Sequence, residues 1–364
     1  DGVMNLAADS ILGEYDYYIQ RDYGLFLLRG TNDELSSKLD RYAGYSLDNI
    51  KGLDFSKASV NAGRYSTVDP EPVREQILAY MKSGGAKNLL LGTADSDSGT
   101  AVSSEGHTLR HGPTITSLPS RSMPDESIIA AAEKLADNMK HPKAIFRKGS
   151  SKYLMDSYIL AMFNNSSHVA ADDHFFNAEV EYIICGELSD DKNTRKIDLA
   201  LIALRTGLNL SHIYSDPEKV AAVSAAAEVL TPGILGTVTQ AGIALVWATA
   251  EAKNDVNLLH AGHNVPLIKD NLSWAIDLDS LISGYDPETG CILPASDRGR
   301  SYADYLRVLL FIKGDNIKTA RILDLIQINM RKNYDADFLI EECSTGISID
   351  SRVNGKDLVY DKKY

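Results

Sequence analysis

The chain has few of the residues from which chemistry is usually read. Its 364 residues hold only three cysteines, Cys185, Cys291 and Cys343. An odd count without short spacing indicates neither a disulfide framework nor a zinc knuckle, although one pair among the three can still form. Basic charge is also scarce, with 37 Lys and Arg against 50 Asp and Glu and a net charge of −13. That balance repels nucleic acid backbones and anionic membrane surfaces, and no basic patch overrides it, so nucleic acid is excluded as a partner. There is no nucleophile beside its base, no full set of metal ligands and no phosphate loop. The motifs therefore name no reaction, catalytic residue, metal or cofactor. Phenylalanine is outnumbered by tyrosine, 8 against 18, which suits an amphipathic aromatic surface.

The length allows one large core or two ordinary domains without disulfides or metals. The core is expected between Ala178 and Gly262. Glu179 to Cys185 reads as a strand. Between Asp198 and Asp216 the only full charge is Arg205, so the helix carrying Leu199, Leu201, Ile202, Leu204 and Leu208 is expected to be buried on most sides. Asp216-Pro217 starts a second helix. Val229 to Ala250 has no charge and could span a bilayer by length. However, Pro232, Gly233, Gly236, Gly242 and several polar residues dilute it, and Glu228 and Glu251 flank it, so it reads as a buried helix of a soluble domain.

Elsewhere an opening helix should run to about Arg21, and a second should follow a cap at Thr31 or Asn32. Leu53 to Val68 reads as an edge strand, and Asp69-Pro70 starts a helix that stops at Gly84-Gly85. Asp95 to Pro124, rich in Ser, Gly, Thr and Pro, reads as a long mobile excursion. Helices return after Asp125-Glu126, through Tyr153 to Met162, after the capping pattern Ser301/Asp304 and through Ile317 to Met330. Asn264 to Ile268 and Trp274 to Leu278 read as short strands or turns. Ile347 and Ile349 form a strand expected to pair with Glu179 to Cys185. The expected class is α+β, mainly helical with a small antiparallel or mixed sheet. The division is a helix-led segment at 1–94, the excursion at 95–124 and a helix-rich core at 125–364.

Glu179 and Glu181, two apart in a strand, would share a face. They could serve acid/base catalysis with Arg205 as modulator, but the favoured reading is a structural ion pair, because a buried arginine needs a carboxylate. His260 and His263, or Asp172, Asp173 and His174 with His168, suggest metal ligation without a complete set. Asp95, Asp97 and Gly99 resemble a calcium loop but lack its glycine spacing and final glutamate. Gly149 to Lys152 lacks the context of a phosphate loop, and Ser189 with Lys192 is too common a spacing to name a nucleophile. Asp190 and Asp191 read as a solvated helix start. Trp247 and Trp274 would support ligand binding only if they lined one groove.

Several phrases resemble a known family: Ser10 to Tyr15 followed by Tyr23 to Phe26, Glu179 to Ile184, Ile202 to Leu210 with Arg205, Thr206 and Asn209, and Asp324 to Gln327 with Asn329 to Arg331. They are similar to an uncharacterised domain-of-unknown-function family of clostridial, Gram-positive bacteria. Its members carry an N-terminal transmembrane helix and are often encoded beside tight-adherence (Tad) pilus genes, near TadE-like and TadG-like pseudopilins. The resemblance implies an extracytoplasmic domain, anchored to the membrane through a segment before Asp1, with other envelope or pilus-assembly proteins as partners. The family supplies no catalytic residues. The adhesion-type Asp-x-Ser-x-Ser pattern found in some TadG-like proteins is missing. The resulting expectation is a structural or assembly component, minor pilin-like, that meets partners through Met4, Ile11 and Leu12 of the opening helix. Leu12→Asp would then weaken assembly and spare the fold. An envelope hydrolase or a small-molecule or glycan-binding module is the alternative.

Overall fold

The computed structural model describes residues 2–47, 55–83, 106–109, 113–138, 146–147, 150–231, 236–285, 290–296 and 298–364. It is mainly helical with two small antiparallel sheets, the expected α+β class.

The opening helix α1 (Gly2–Leu12) buries Met4, Ala7, Ala8, Ile11 and Leu12 and leaves Leu6 exposed. The expected continuation to Arg21 does not occur. Gly13 and Glu14 fold back on the last turn, and Asp16 caps a separate helix α2 (Tyr17–Tyr23) by accepting from the Tyr18 and Ile19 amides. A short Asp side chain that satisfies free amides starts a new helix more readily than it continues an old one. After β1 (Leu28–Arg29), Thr31 and Glu34 form a reciprocal capping box at the head of α3 (Asn32–Leu47).

The three-stranded sheet has the order β2 (Phe55–Asn61), β4 (Gly346–Val353), β5 (Lys356–Lys363), so β2 is an edge strand as expected. Ile349 lies opposite Val60, and these two with Ala58 and Ile347 meet α1 and α3 in one apolar cluster. Asn354 and Gly355, both with positive φ (50° and 76°), make the tight turn into β5. The Ile347–Ile349 strand therefore pairs with β2 and β5, and not with Glu179 to Cys185. A two-residue strand β3 (Cys343–Ser344) pairs β1. The packing crosses the division at 94 and 124: the C-terminal hairpin joins the N-terminal cluster, while Leu25, Leu27, α2 and α4 (Pro70–Lys82) join the main helical core.

α4 starts at Pro70 behind an Asp69 cap, and Gly84-Gly85 lie outside the described residues. So do Asp95 to Glu105 and residues 110–112, but the described part of the expected excursion, 106–109 and 113–124, is structured. Thr108 bridges Ser189, α5 (Pro113–Thr116) follows, and Leu118 is buried in the main core. In that core lie α6 (Ile128–Asn138), α7 (Ser151–Met162, capped by Ser150), α8 (Glu179–Cys185), α9 (Asp190–Ser215), α13 (Tyr302–Ile312, capped by Ser301) and α14 (Asp315–Asn333). Every residue from Ile317 to Met330 is buried, so α14 is the central element.

Glu179 to Cys185 is the helix α8, wholly buried, and not a strand. All seven of its residues are buried, the two glutamates included, so no one-sided helical period shows in its sequence and tertiary burial decides its state. Gly186 closes it in the left-handed region (φ 71°), where a Cβ would collide with the Arg321 guanidinium. Arg321 donates to the Ile183 and Ile184 carbonyls and so satisfies the open end of α8.

α9 packs against α6, α8 and α11 (Gly236–His260), and no residue from Ala200 to Leu210 is exposed, although Leu199 is. α10 (Pro217–Leu230) begins at the expected Asp216 cap. With α11 and α12 (Leu278–Ile282) it encloses a third cluster around Ile213, Trp247, Ala248 and Ile276. The uncharged run divides between α10 and α11 around residues 232–235, outside the described set. It is not buried throughout: Val229, Leu230, Val238, Leu245 and Val246 are exposed. Among the described residues no helix is long and apolar enough to cross a membrane.

Candidate functional site

The structure separates the charged residues singled out by sequence. Arg205, fully buried on α9, donates through Nε to Asp255 of α11 at 2.9 Å. It also donates to the carbonyls of Pro266 and Leu267, to the Tyr305 hydroxyl and to Asn209. Asp255 also meets Lys269 at 2.6 Å, and Lys269 pairs with Glu251, whose two oxygens accept the Ala275 and Ile276 amides. Burial holds the Glu251 carboxyl above its ordinary value, against the pull of Lys269. Two cations and two anions, all sealed, thus fasten the 265–276 loop to α9 and α11. The expected partnership of Arg205 with Glu179 and Glu181 is not formed. Glu251 and Asp255, four apart on one face of α11, are the partners that sequence reading missed. Their spacing was visible, but α9 and the loop bring the cations from elsewhere in the chain.

Glu179 accepts from the Asn164 amide, Asn329 and His174 Nδ1, the last at 2.6 Å. Burial pulls the His174 ring down, but the Glu179 charge outweighs it and the net shift is upward from 6.5. Glu181 accepts from the Ser166 amide and hydroxyl and from the Tyr302 hydroxyl. Burial raises its carboxyl, and hydrogen bonds offset this only in part. Both glutamates have zero relative exposure, so neither can pass a proton to a bound substrate.

The remaining candidates take structural places. His174 points inward to Glu179, and Asp173 holds Asn333. His260 bonds Asp198 at 2.7 Å and lies against Tyr302, with its ring raised in pKa by that bond. Among the described residues no three His, Cys, Asp or Glu side chains gather as metal ligands. Asp95, Asp97 and Gly99 lie outside the described residues. Lys152 donates to the Phe311 carbonyl. Ser189 accepts from Thr108, and Asp190 is buried, not solvated, accepting three amides from His107, Asn177 and Ala178. The cysteines are free thiols, with Cys185 and Cys343 buried and Cys291 exposed. Met4, Ile11 and Leu12, the expected partner contacts, are buried within their own chain.

An open groove lies elsewhere, and it brings together two residues that sequence could not place. Trp247 of α11 and Trp274 of the following loop meet edge to face, 5.3 Å between centroids and 81° between planes. Both indole N–H groups donate to the Ile276 carbonyl, at 2.8 and 2.7 Å. They form part of a groove of about 700 Å³ between α10 and α12, walled by Ala222, Ala226, Val229, Leu230, Leu278 and Ile282. A second hollow of about 380 Å³ lies between α11 and α12 and shares Leu278 and Ile282. Small side chains along α10 leave the room, and α12, held by an Asp277 cap, forms the far wall. Lys219 sits over both indoles, 5.7 Å from Trp247 and 4.9 Å from Trp274, and reaches Asp216 at 3.5 Å.

These features define a mainly helical α+β domain whose buried titratable groups hold its core and whose surface carries an apolar trough. The chain belongs to the DUF5702 family, a family of unknown function, which it matches over residues 82–355. The match takes in the polar core and the trough. No curated protein and no solved structure matches the chain.

Proposed function

We propose that this chain is the extracytoplasmic ectodomain of a membrane-anchored envelope protein and a structural or assembly component, minor pilin-like, of a Tad-type pilus. The pilus and the envelope location rest on the resemblance of the phrases around Ser10, Glu179, Ile202 and Asp324. The observation that carries a binding role over a catalytic one is the contrast between sealed carboxylates and an open apolar trough. Glu179, Glu181 and Arg205 are fully buried with their partners, whereas Val229, Leu230 and Ile282 are left in solvent beside a groove. A hydrolase built on those carboxylates has no route for substrate. A sugar-binding platform needs an open indole face, but Trp247 is buried and Lys219 covers both rings.

The test is a clean deletion in a bacterium that encodes the chain, with complementation, scored by electron microscopy of surface pili and by fractionation of the tagged protein. Loss of pili restored by the wild-type gene, with the protein in the membrane fraction, is the expected result. Unchanged piliation sinks the reading.

A further inference from the structure

We propose that the trough formed by α10, α11 and α12 receives a basic amphipathic helix of a partner protein. This deepens the binding role just described by naming the partner's chemistry. It rests on the groove and not on the pilus.

Four large apolar side chains left exposed, Val229, Leu230, Val246 and Ile282, line the two hollows. The two hollows join at Leu278 and Ile282, so the apolar surface runs as a trough and not a round pocket. A trough of this kind accepts a row of side chains spaced i, i+3, i+4 and i+7 along a helix. Most of its walls are helices, whose backbone groups are spent within each helix, and in the loop wall at 274–277 the Ala275 and Ile276 amides go to Glu251 and the Ile276 carbonyl to the indoles. An extended chain laid there would find no ladder of donors and acceptors, so the occupant must satisfy its own backbone, as a helix does. The floor also lacks hooks for a polar small molecule. Both indole N–H groups are taken by Ile276, and both oxygens of the nearby Glu251 accept backbone amides.

Charge selects the partner. Glu218, Asp277 and Asp279 stand exposed on the rim, and Lys219, the one rim cation among the described residues, is committed to the indoles and Asp216. Lysines or arginines flanking the apolar face of an incoming helix would meet that rim, within a chain whose net charge is −13. The same net charge opposes a second copy as occupant.

The chain has two tryptophans, and both belong to the groove, so intrinsic fluorescence reports the site directly. The full chain is titrated with three synthetic peptides: a Leu–Lys amphipathic helix, its Leu–Glu counterpart, and a scrambled Leu–Lys sequence with no apolar face. The expected result is a saturable change in emission with the Leu–Lys helix alone. Affinity should fall about tenfold in Leu230→Glu or Ile282→Glu, both at exposed positions. It should also fall in the double variant Glu218→Lys, Asp279→Lys, but not in Asp357→Lys on β5, with circular dichroism unchanged in all. Equal binding of the scrambled or Leu–Glu peptide overturns the proposal. So does an emission change produced by dodecyl maltoside that the helix neither reproduces nor competes with, which would assign the groove to small amphiphiles. Self-association abolished by Leu230→Glu would assign it to a second copy. Failure here with pili lost on deletion refutes the helix alone, and the reverse refutes the pilus alone.

Discussion

Glu181 shows how a residue that looks catalytic on paper serves the core. Its carboxyl sits among Ser166 and Tyr302, paired with no lysine or arginine among the described residues, and burial lifts it above its ordinary 4.5. The folded chain therefore keeps a proton that the unfolded chain releases. The stability this confers is full below pH 4.5 and is lost as pH rises through the folded value. Glu181→Gln cannot lose that proton. Its unfolding free energy, relative to wild type in denaturant titrations, should improve as pH rises above 4.5 and level off once the wild-type carboxyl ionises in the folded chain. A difference that does not change with pH would show that Glu181 is ionised in the folded chain. Arg205 makes the opposite case. A charge needing a carboxylate was legible from its isolation in an apolar stretch, but the carboxylate belongs to Asp255, fifty residues on, where sequence had only a charge at the end of a quiet run. The identity of the partner is a long-range fact, and no local pattern carries it.

At the scale of elements, caps were legible and burial was not. Asp69-Pro70, Asp216-Pro217 and Ser301 all begin helices where their side chains said they would, because a cap is a bond between residues two or three apart. α8 was misread because an element buried on every side, its glutamates included, offers no one-sided period to read. α1 was read correctly as amphipathic, yet its apolar face was assigned to a partner. The sheet and α3 already cover it. Leu12→Asp therefore places an unpaired carboxylate where 7 % of the residue is exposed, and should cost about 3 kcal/mol or more of fold stability. A thermal melt of the purified variant decides this. An unchanged midpoint would return α1 to the surface and revive it as a docking helix.

On the scale of the whole molecule, the two chain ends belong together. Ile347 and Ile349 close the cluster that α1, α3 and β2 begin, whereas α8, α9, α13 and α14 pack around a separate core. A chain ending at Thr345 should lose hydrogen-exchange protection in α1 and β2 and retain it in α9 and α14. Uniform loss would mean that the two clusters fold as one unit. By itself the sequence determined the α+β, mainly helical class, most helix starts, the edge position of β2 and the burial of charge around Arg205. Periodicity, capping and the cost of an unpaired charge all act over a few residues. The tertiary structure alone decided that Glu179 to Cys185 is a helix, that Arg205 pairs with Asp255, and that the C-terminal hairpin joins the N-terminal cluster. It alone also placed Trp247 and Trp274 together in an open trough. Each of these depends on which distant surfaces meet, and one-dimensional patterns do not encode that.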